Sequence, residues 1–266
     1  MVGVICPSNR PEYWKDLYDN LSHNKAEFNL TIVGPKEPLH DLPKNFKYIK
    51  SNVKPAQCSF IAMNNVDGEY LLPIADDISF DPGLLDCMVE MLSENNKHTS
   101  ITPGLYYDGT YVVQDNMYID VVDYDNPDID KGIVFFPVCI PYCQLMYKDS
   151  VMEIGIDQHF VTCYWPTDIS LELASRGGQI VHCGKSVYEK YAGCRLHDTY
   201  KKDLDFLLQM WLRDRNIYSG HAGEINGKRY RMYRIGICRY YNIVPLEYLP
   251  DVLYHSQGIT DGTKWD

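Results

Sequence analysis

The sequence predicts an α/β fold: a mostly parallel central sheet flanked by helices over residues 1–215, with a small C-terminal appendage over 216–266. Two observations carry that expectation. Through the first half of the chain, short apolar runs of strand length alternate with runs whose apolar residues recur at helical spacing. The 266 residues are also 45% hydrophobic and 23% charged, enough apolar material for one large globular domain.

The elements follow in order. "VGVIC" reads as a short buried strand, and "RPEYWKDLYDNLSHN" as a helix with Pro11 in its first turn and Trp14, Leu17, Tyr18 and Leu21 on one face. "FNLTIVG" is a second strand ending at Gly34-Pro35, and "FKYIKS" a third. "CSFIAMNNV" reads as a helix that passes through Asp67-Gly68 into a strand over Tyr70–Ala75. "DPGLLDCMVEMLSEN" has the pattern of an amphipathic helix, with Asp81 expected as its N-cap and Pro82 at the first helical position. Residues 100–150 read as β-rich excursions around an acidic, turn-rich stretch. "TDISLELASRGG" reads as a helix ended by glycine, "QIVHC" as a strand, and "TYKKDLDFLLQMWLRDRN" as a further amphipathic helix. The Asn226-Gly227 pair in the tail is a hairpin-turn signal.

Composition excludes several classes of function. The nine cysteines are scattered, odd in number and lack a C-x-x-C pair, which fits reduced thiols in the cytoplasm (a host's cytoplasm, if the protein is viral) rather than a disulfide framework. No run approaches the roughly 18 apolar residues of a membrane span, and the N-terminus opens without a basic segment or cleavage site. With 25 basic and 36 acidic residues, the net charge of −11 disfavours a general polyanion binder. The basic, tyrosine-containing "KRYRMYRIGICR" keeps DNA as a disfavoured alternative partner.

Chemistry is expected beyond the carboxyl ends of the strands, where open α/β sheets bind ligands. "CPSNRP" follows the first strand, "GPKEP" the second, and "ADD" the strand at 70–75. A hydroxyl, an arginine and a carboxylate pair at one sheet edge suit a nucleoside diphosphate held through magnesium or manganese, because these hard ions take carboxylate and phosphate oxygens. The bland alternative for Asp76 and Asp77 is a solvated loop.

Three blocks, "VGVICPSNRPEYWKDLYDNL", "GEYLLPIADDISFDPGLLD" and "IGIDQHFVTCYWPTDISLELASRGGQI", resemble in order and spacing the family 2 glycosyltransferases of the GT-A (Rossmann-like) fold. The resemblance implies a nucleotide-sugar-binding half over 1–99 and an acceptor-side half over 100–215. It implies an inverting, metal-dependent transfer from a nucleoside-diphosphate sugar, a UDP-sugar foremost, to a glycan or other hydroxyl acceptor. Pro7, Ser8, Arg10 and Asp76 become donor contacts, and Asp77 the ligand of a manganese or magnesium ion. Asp157 and Trp165 become acceptor contacts, and Asp168 the catalytic base.

Each residue also has an ordinary explanation: a charge at a helix start for Arg10, a turn cap for Asp157, core packing for Trp165, and a favourable helix-dipole charge for Asp168. The chain departs from the family at Ala75, which replaces the first aspartate of Asp-x-Asp, at the non-acidic "VGPKE", and at Ser59-Phe60, where an Arg-Asn pair is usual. These departures keep a non-catalytic sugar- or nucleotide-binding module as the alternative, with a nucleotidyltransferase third. Glu189 lies nearest in register to the family's late metal-ligand histidine, with His182 and His197 as neighbours, and none of the three is assigned.

Overall fold

β1 (Val2–Pro7) has no polar alternation, and its side chains are buried on both faces, as expected of a strand inside a parallel sheet. The computed structural model describes residues 1–107, 110–112, 117–122, 131–136, 142–189, 202, 203, 206, 221–225 and 228–232. After β1 a 3-10 turn (Pro11–Tyr13) leads into α1 (Trp14–Ser22), which buries the expected Trp14, Leu17 and Leu21. β2 (Phe28–Gly34), β3 (Phe46–Lys50), α2 (Pro55–Met63) and β4 (Tyr70–Pro73) follow. Next come β5 (Ile78–Phe80), α3 (Leu84–Ser93), β6 (Ser100–Tyr107), β7 (Thr110–Val112), β8 (Met117–Val122) and β9 (Lys131–Phe136). β10 (Leu145–Tyr147), α4 (Lys148–Ile154), α5 (Trp165–Ser175), β11 (Ile180–Glu189), β12 (His221–Ile225) and β13 (Lys228–Met232) complete the order.

Among the described residues one nine-stranded sheet runs β3-β2-β1-β4-β10-β6-β11-β5, with β7 on β6. β3, β2, β1 and β4 are mutually parallel, as are β6 and β11, while β10 and β5 run antiparallel to their neighbours. Successive residues divide between two apolar layers. Ile5 and Leu71 pack with α2, α4 and α5 through Ala56, Val151 and Ile169, whereas Val4 and Leu72 pack with α1 and α3 through Leu17 and Met88. This is the mixed, mostly parallel α/β architecture of the GT-A fold.

Several expectations change, the strand expected over Tyr70–Ala75 among them, since β4 ends at Pro73. Asp81 does not cap α3: Gly83 takes that position in a left-handed conformation with φ 70°, so Pro82 lies before the helix. The Asp81 carboxylate instead accepts hydrogen bonds from Ser186 N–H and Tyr188 O–H, both at 2.8 Å, and so fastens the end of β5 to β11. "QIVHC" also continues past Cys183 through an irregularity between His182 and Ser186, extending β11 to Glu189.

α5 begins two residues earlier than expected and ends at glycine, with Gly177 at φ 90°. Of the helix expected over 199–216, only Lys202, Asp203 and Phe206 are described, all helical. β12 and β13 pair antiparallel down to Ile225 and Lys228, around the Asn226-Gly227 signal. That dipeptide, His197 and the rest of the tail lie outside the described residues.

Candidate active site

The site is built where β1 and β4 end side by side, with Ile5 opposite Pro73. β1 stops at Pro7, and the Ser8 N–H donates to Val33 O at 3.1 Å. Gly34 makes that approach possible: a Cβ there would lie 1.7 Å from the Ser8 carbonyl oxygen. The Ser8 hydroxyl oxygen accepts from the Arg10 N–H at 3.1 Å and from Trp14 Nε1–H at 2.7 Å, and its own proton goes to Asp76 Oδ2.

Past Pro73 the chain crosses Ile74 and Ala75 and turns at Asp76-Asp77 into β5. Both carboxylates are buried, Asp76 to 4% and Asp77 to 7% exposure. Arg10 bridges them: Nη2 pairs with Asp76 Oδ1, Nε donates to Asp76 Oδ2 at 3.2 Å, and Nη1 meets Asp77 Oδ2 at 2.9 Å. The guanidinium also stands 5.3 Å from the centre of the Tyr13 ring. Burial raises the Asp76 carboxyl above its ordinary value, although hydrogen bonds from Arg10 and Ser8 pull it down. Burial pulls Arg10 down, and the Asp76 and Asp77 carboxylates more than reverse it, so the guanidinium stays charged.

Glu189 joins this cluster from the far end of β11, because it pairs in register with Ile78, the residue after Asp77. Tyr142 O–H donates to its Oε2 at 2.8 Å. Its carboxyl is pushed up to about 7, by burial first and then by the Asp77 charge, against the Tyr142 hydrogen bond and Arg10. Three acidic groups and one arginine therefore share one strand edge. Holding carboxylates out of water costs several kcal/mol each, and this gathering of perturbed groups at a sheet edge makes it the candidate site.

A divalent cation fits this donor set in one way. Asp76 engages both of its oxygens with Ser8 and Arg10, while Asp77 meets Arg10 through Oδ2 alone. Among the described residues, no three His, Cys, Asp or Glu side chains form a metal-holding group. Asp77 is therefore the carboxylate of this set that could hold an ion.

Asp168 is held by a separate set of contacts. Ala56, in the first turn of α2 and therefore at the carboxyl end of β3, donates its N–H to Val161 O at 3.1 Å. That contact ties the 155–164 loop, which leads into α5, to the start of α2. Asp168 lies in the first turn of α5 with 7% exposure, and its N–H donates to Tyr164 O at 2.9 Å.

The other acceptor-side candidates have partners of their own. Trp165 is 3% exposed and packs among Phe160, Ile169 and Ala56, so its ring belongs to the core and offers no open stacking face. Asp157 accepts from His159 N–H at 2.9 Å, as a turn-capping aspartate does, and also meets His159 Nδ1. Pro7 holds the last paired position of β1, opposite Val33. His182 lies on β11, paired with Thr102. Sequence reasoning left Glu189 unassigned and passed over Tyr142 and Trp14; the only signal for Glu189 was its register.

The sheet order, with ligand-type residues gathered where β1 and β4 end, is that of a GT-A glycosyltransferase fold. Solved structures of S. aureus TarS share this fold. The TarS crystal structure aligns with a TM-score of 0.54 at 12% identity, over 80% of this chain and 40% of that one. A TarS 1-349 structure aligns at 0.53 and 13%, over 82% and 74%, and the TarS 1-349 complex with UDP-GlcNAc at 0.54 and 12%, over 80% and 66%. The chain thus spans well under half of the longer TarS chain. No sequence-family description matches it, and no curated protein does. Among the described residues no helix is long and apolar enough to cross a membrane, and the six described cysteines are free thiols.

Proposed function

We propose that this protein is an inverting glycosyltransferase that moves a sugar from a nucleoside-diphosphate donor, a UDP-sugar foremost, to a hydroxyl acceptor. The observation that carries this reading is the buried Ser8–Asp76–Arg10–Asp77 network at the ends of β1 and β4. The UDP-GlcNAc bound by TarS, a protein of the same fold, supports the donor class.

In this account Ser8, Arg10 and Asp76 bind and orient the donor, beside Pro7. Asp77 would hold a manganese or magnesium ion, which would supply charge neutralisation for the leaving nucleoside diphosphate. Arg10 adds a second positive charge at that place. Asp168 takes the proton of the acceptor hydroxyl as its oxygen bonds to the anomeric carbon, opposite the departing diphosphate. The anomeric centre inverts, and the proton ends on the Asp168 carboxylate. A glycan is the acceptor class this reading favours.

Asp168→Asn separates this function from a binding module of the same fold, the reading that Ala75 favours. With UDP-sugars and manganese, the wild type should release nucleoside diphosphate. The variant should lose turnover by about 100- to 10,000-fold while its affinity for UDP stays within twofold. Equal turnover by the two proteins removes Asp168 from the role of base, and no turnover by the wild type with any donor favours the binding module.

A further inference from the structure

A nest of three consecutive backbone N–H groups lies just before α5, and the chain fills it with its own buried carboxylate. Val161 N–H reaches Asp203 Oδ1 at 3.0 Å and Oδ2 at 3.2 Å, Thr162 N–H reaches Oδ2 at 2.6 Å, and Cys163 N–H reaches Oδ2 at 3.0 Å. Asp203 is 2% exposed. Successive N–H groups of this kind form an anion-binding concavity, and hydrogen bonds to an ionised acceptor are roughly twice as strong as neutral ones.

The residue after the nest is Tyr164, at φ 62°, a left-handed backbone that a bulky side chain rarely adopts. Its carbonyl accepts the Asp168 N–H, so this conformation fixes where α5 starts and where Asp168 sits. The segment bearing Asp203 adds a second handle: Phe206 packs edge-on against Phe160, with ring centres 5.2 Å apart, and lies 4.9 Å from the His159 ring.

We propose that Asp203 is a positioning residue for the transfer reaction, acting by holding the Val161–Cys163 amides so that Tyr164 and the first turn of α5 present Asp168 to the acceptor hydroxyl. This rests on Asp168 being the base. Asp203 touches neither donor nor acceptor, so its loss should lower the rate of the chemical step and spare donor binding, which belongs to Ser8, Arg10, Asp76 and Asp77.

The test compares Asp203→Ala and Asp203→Asn with the full-length wild type, using UDP-sugar turnover with manganese, UDP affinity by calorimetry, and amide hydrogen exchange. Asn keeps one carbonyl oxygen for the nest and Ala keeps none. The account expects kcat per folded molecule to fall at least tenfold in Asp203→Ala and less in Asp203→Asn, with UDP affinity within twofold of wild type in both. Losses of kcat and UDP affinity in equal proportion overturn it, because that is what general destabilisation gives.

If Asp203→Ala does not fold, the Asp203→Asn comparison decides by the same split. If the wild type turns over no donor, the transferase reading fails separately, and exchange decides the positioning claim. Faster exchange should then extend from 161–163 into the first turn of α5, while β1 amides stay protected. Exchange that rises at 161–163 alone contradicts it.

Discussion

Glu189 has the most displaced carboxyl at the site, and its titration ties the site to stability. Burial lifts it from an ordinary 4.5 to about 7 in the folded protein. Between those values the folded protein keeps a proton that the unfolded chain has lost, so stability falls as pH rises through this window and levels off above about 7. Glu189→Gln, which mimics the protonated form, should therefore be more stable than wild type at pH 8, by up to about 3 kcal/mol. The advantage should fade toward pH 4.5 in denaturant unfolding, and an advantage that does not change with pH contradicts this assignment. At this scale the sequence was half legible. Two carboxylates at a strand end raised the question of a ligand without deciding it against a solvated loop, and the double pairing of Arg10 depends on contacts 66 residues apart, which no local pattern encodes. Glu189 escaped because the apolar signal of its strand fades after Cys183, beyond the left-handed Gly184 at φ 68°.

At the scale of elements, the ends of β1 and β2 depend on a glycine. Gly34→Ala would force a methyl group onto the Ser8 backbone, with the carbonyl oxygen 1.7 Å and the carbonyl carbon 2.8 Å away. Neither atom is a flexible side-chain end, so strand must move against strand. The expected cost is about 1–3 kcal/mol of stability, with weaker UDP binding because Ser8 moves; unchanged melting temperature and unchanged UDP affinity contradict the geometry. The parallel half was legible because apolar runs of strand length alternate with longer runs of helical length. The antiparallel pairing of β10 and β5 was not, since pairing partners are set by contacts distant in sequence. Asp81 shows the same limit: Asp-Pro-Gly before an apolar helix looks like a cap, yet the carboxylate bonds across to Ser186 and Tyr188.

For the whole molecule, the order β3-β2-β1-β4 followed by antiparallel β10 places Ser8, Arg10, Asp76 and Asp77 beyond the carboxyl ends of adjacent parallel strands, where α/β sheets bind ligands. The same sheet continues through β6 and β11, so one framework carries Asp76 and Asp77 at one point and Glu189 at another. Donor binding at this place is the central proposal, and the proposed ion on Asp77 predicts that it depends on metal. The most direct measurement is calorimetric titration of UDP into wild type and Asp77→Asn, each with manganese and with a chelator. Wild type should bind at least tenfold more tightly with manganese, about 1.4 kcal/mol, and Asp77→Asn should lose that gain. Equal UDP affinity in all four titrations, or no binding in any, would contradict the account.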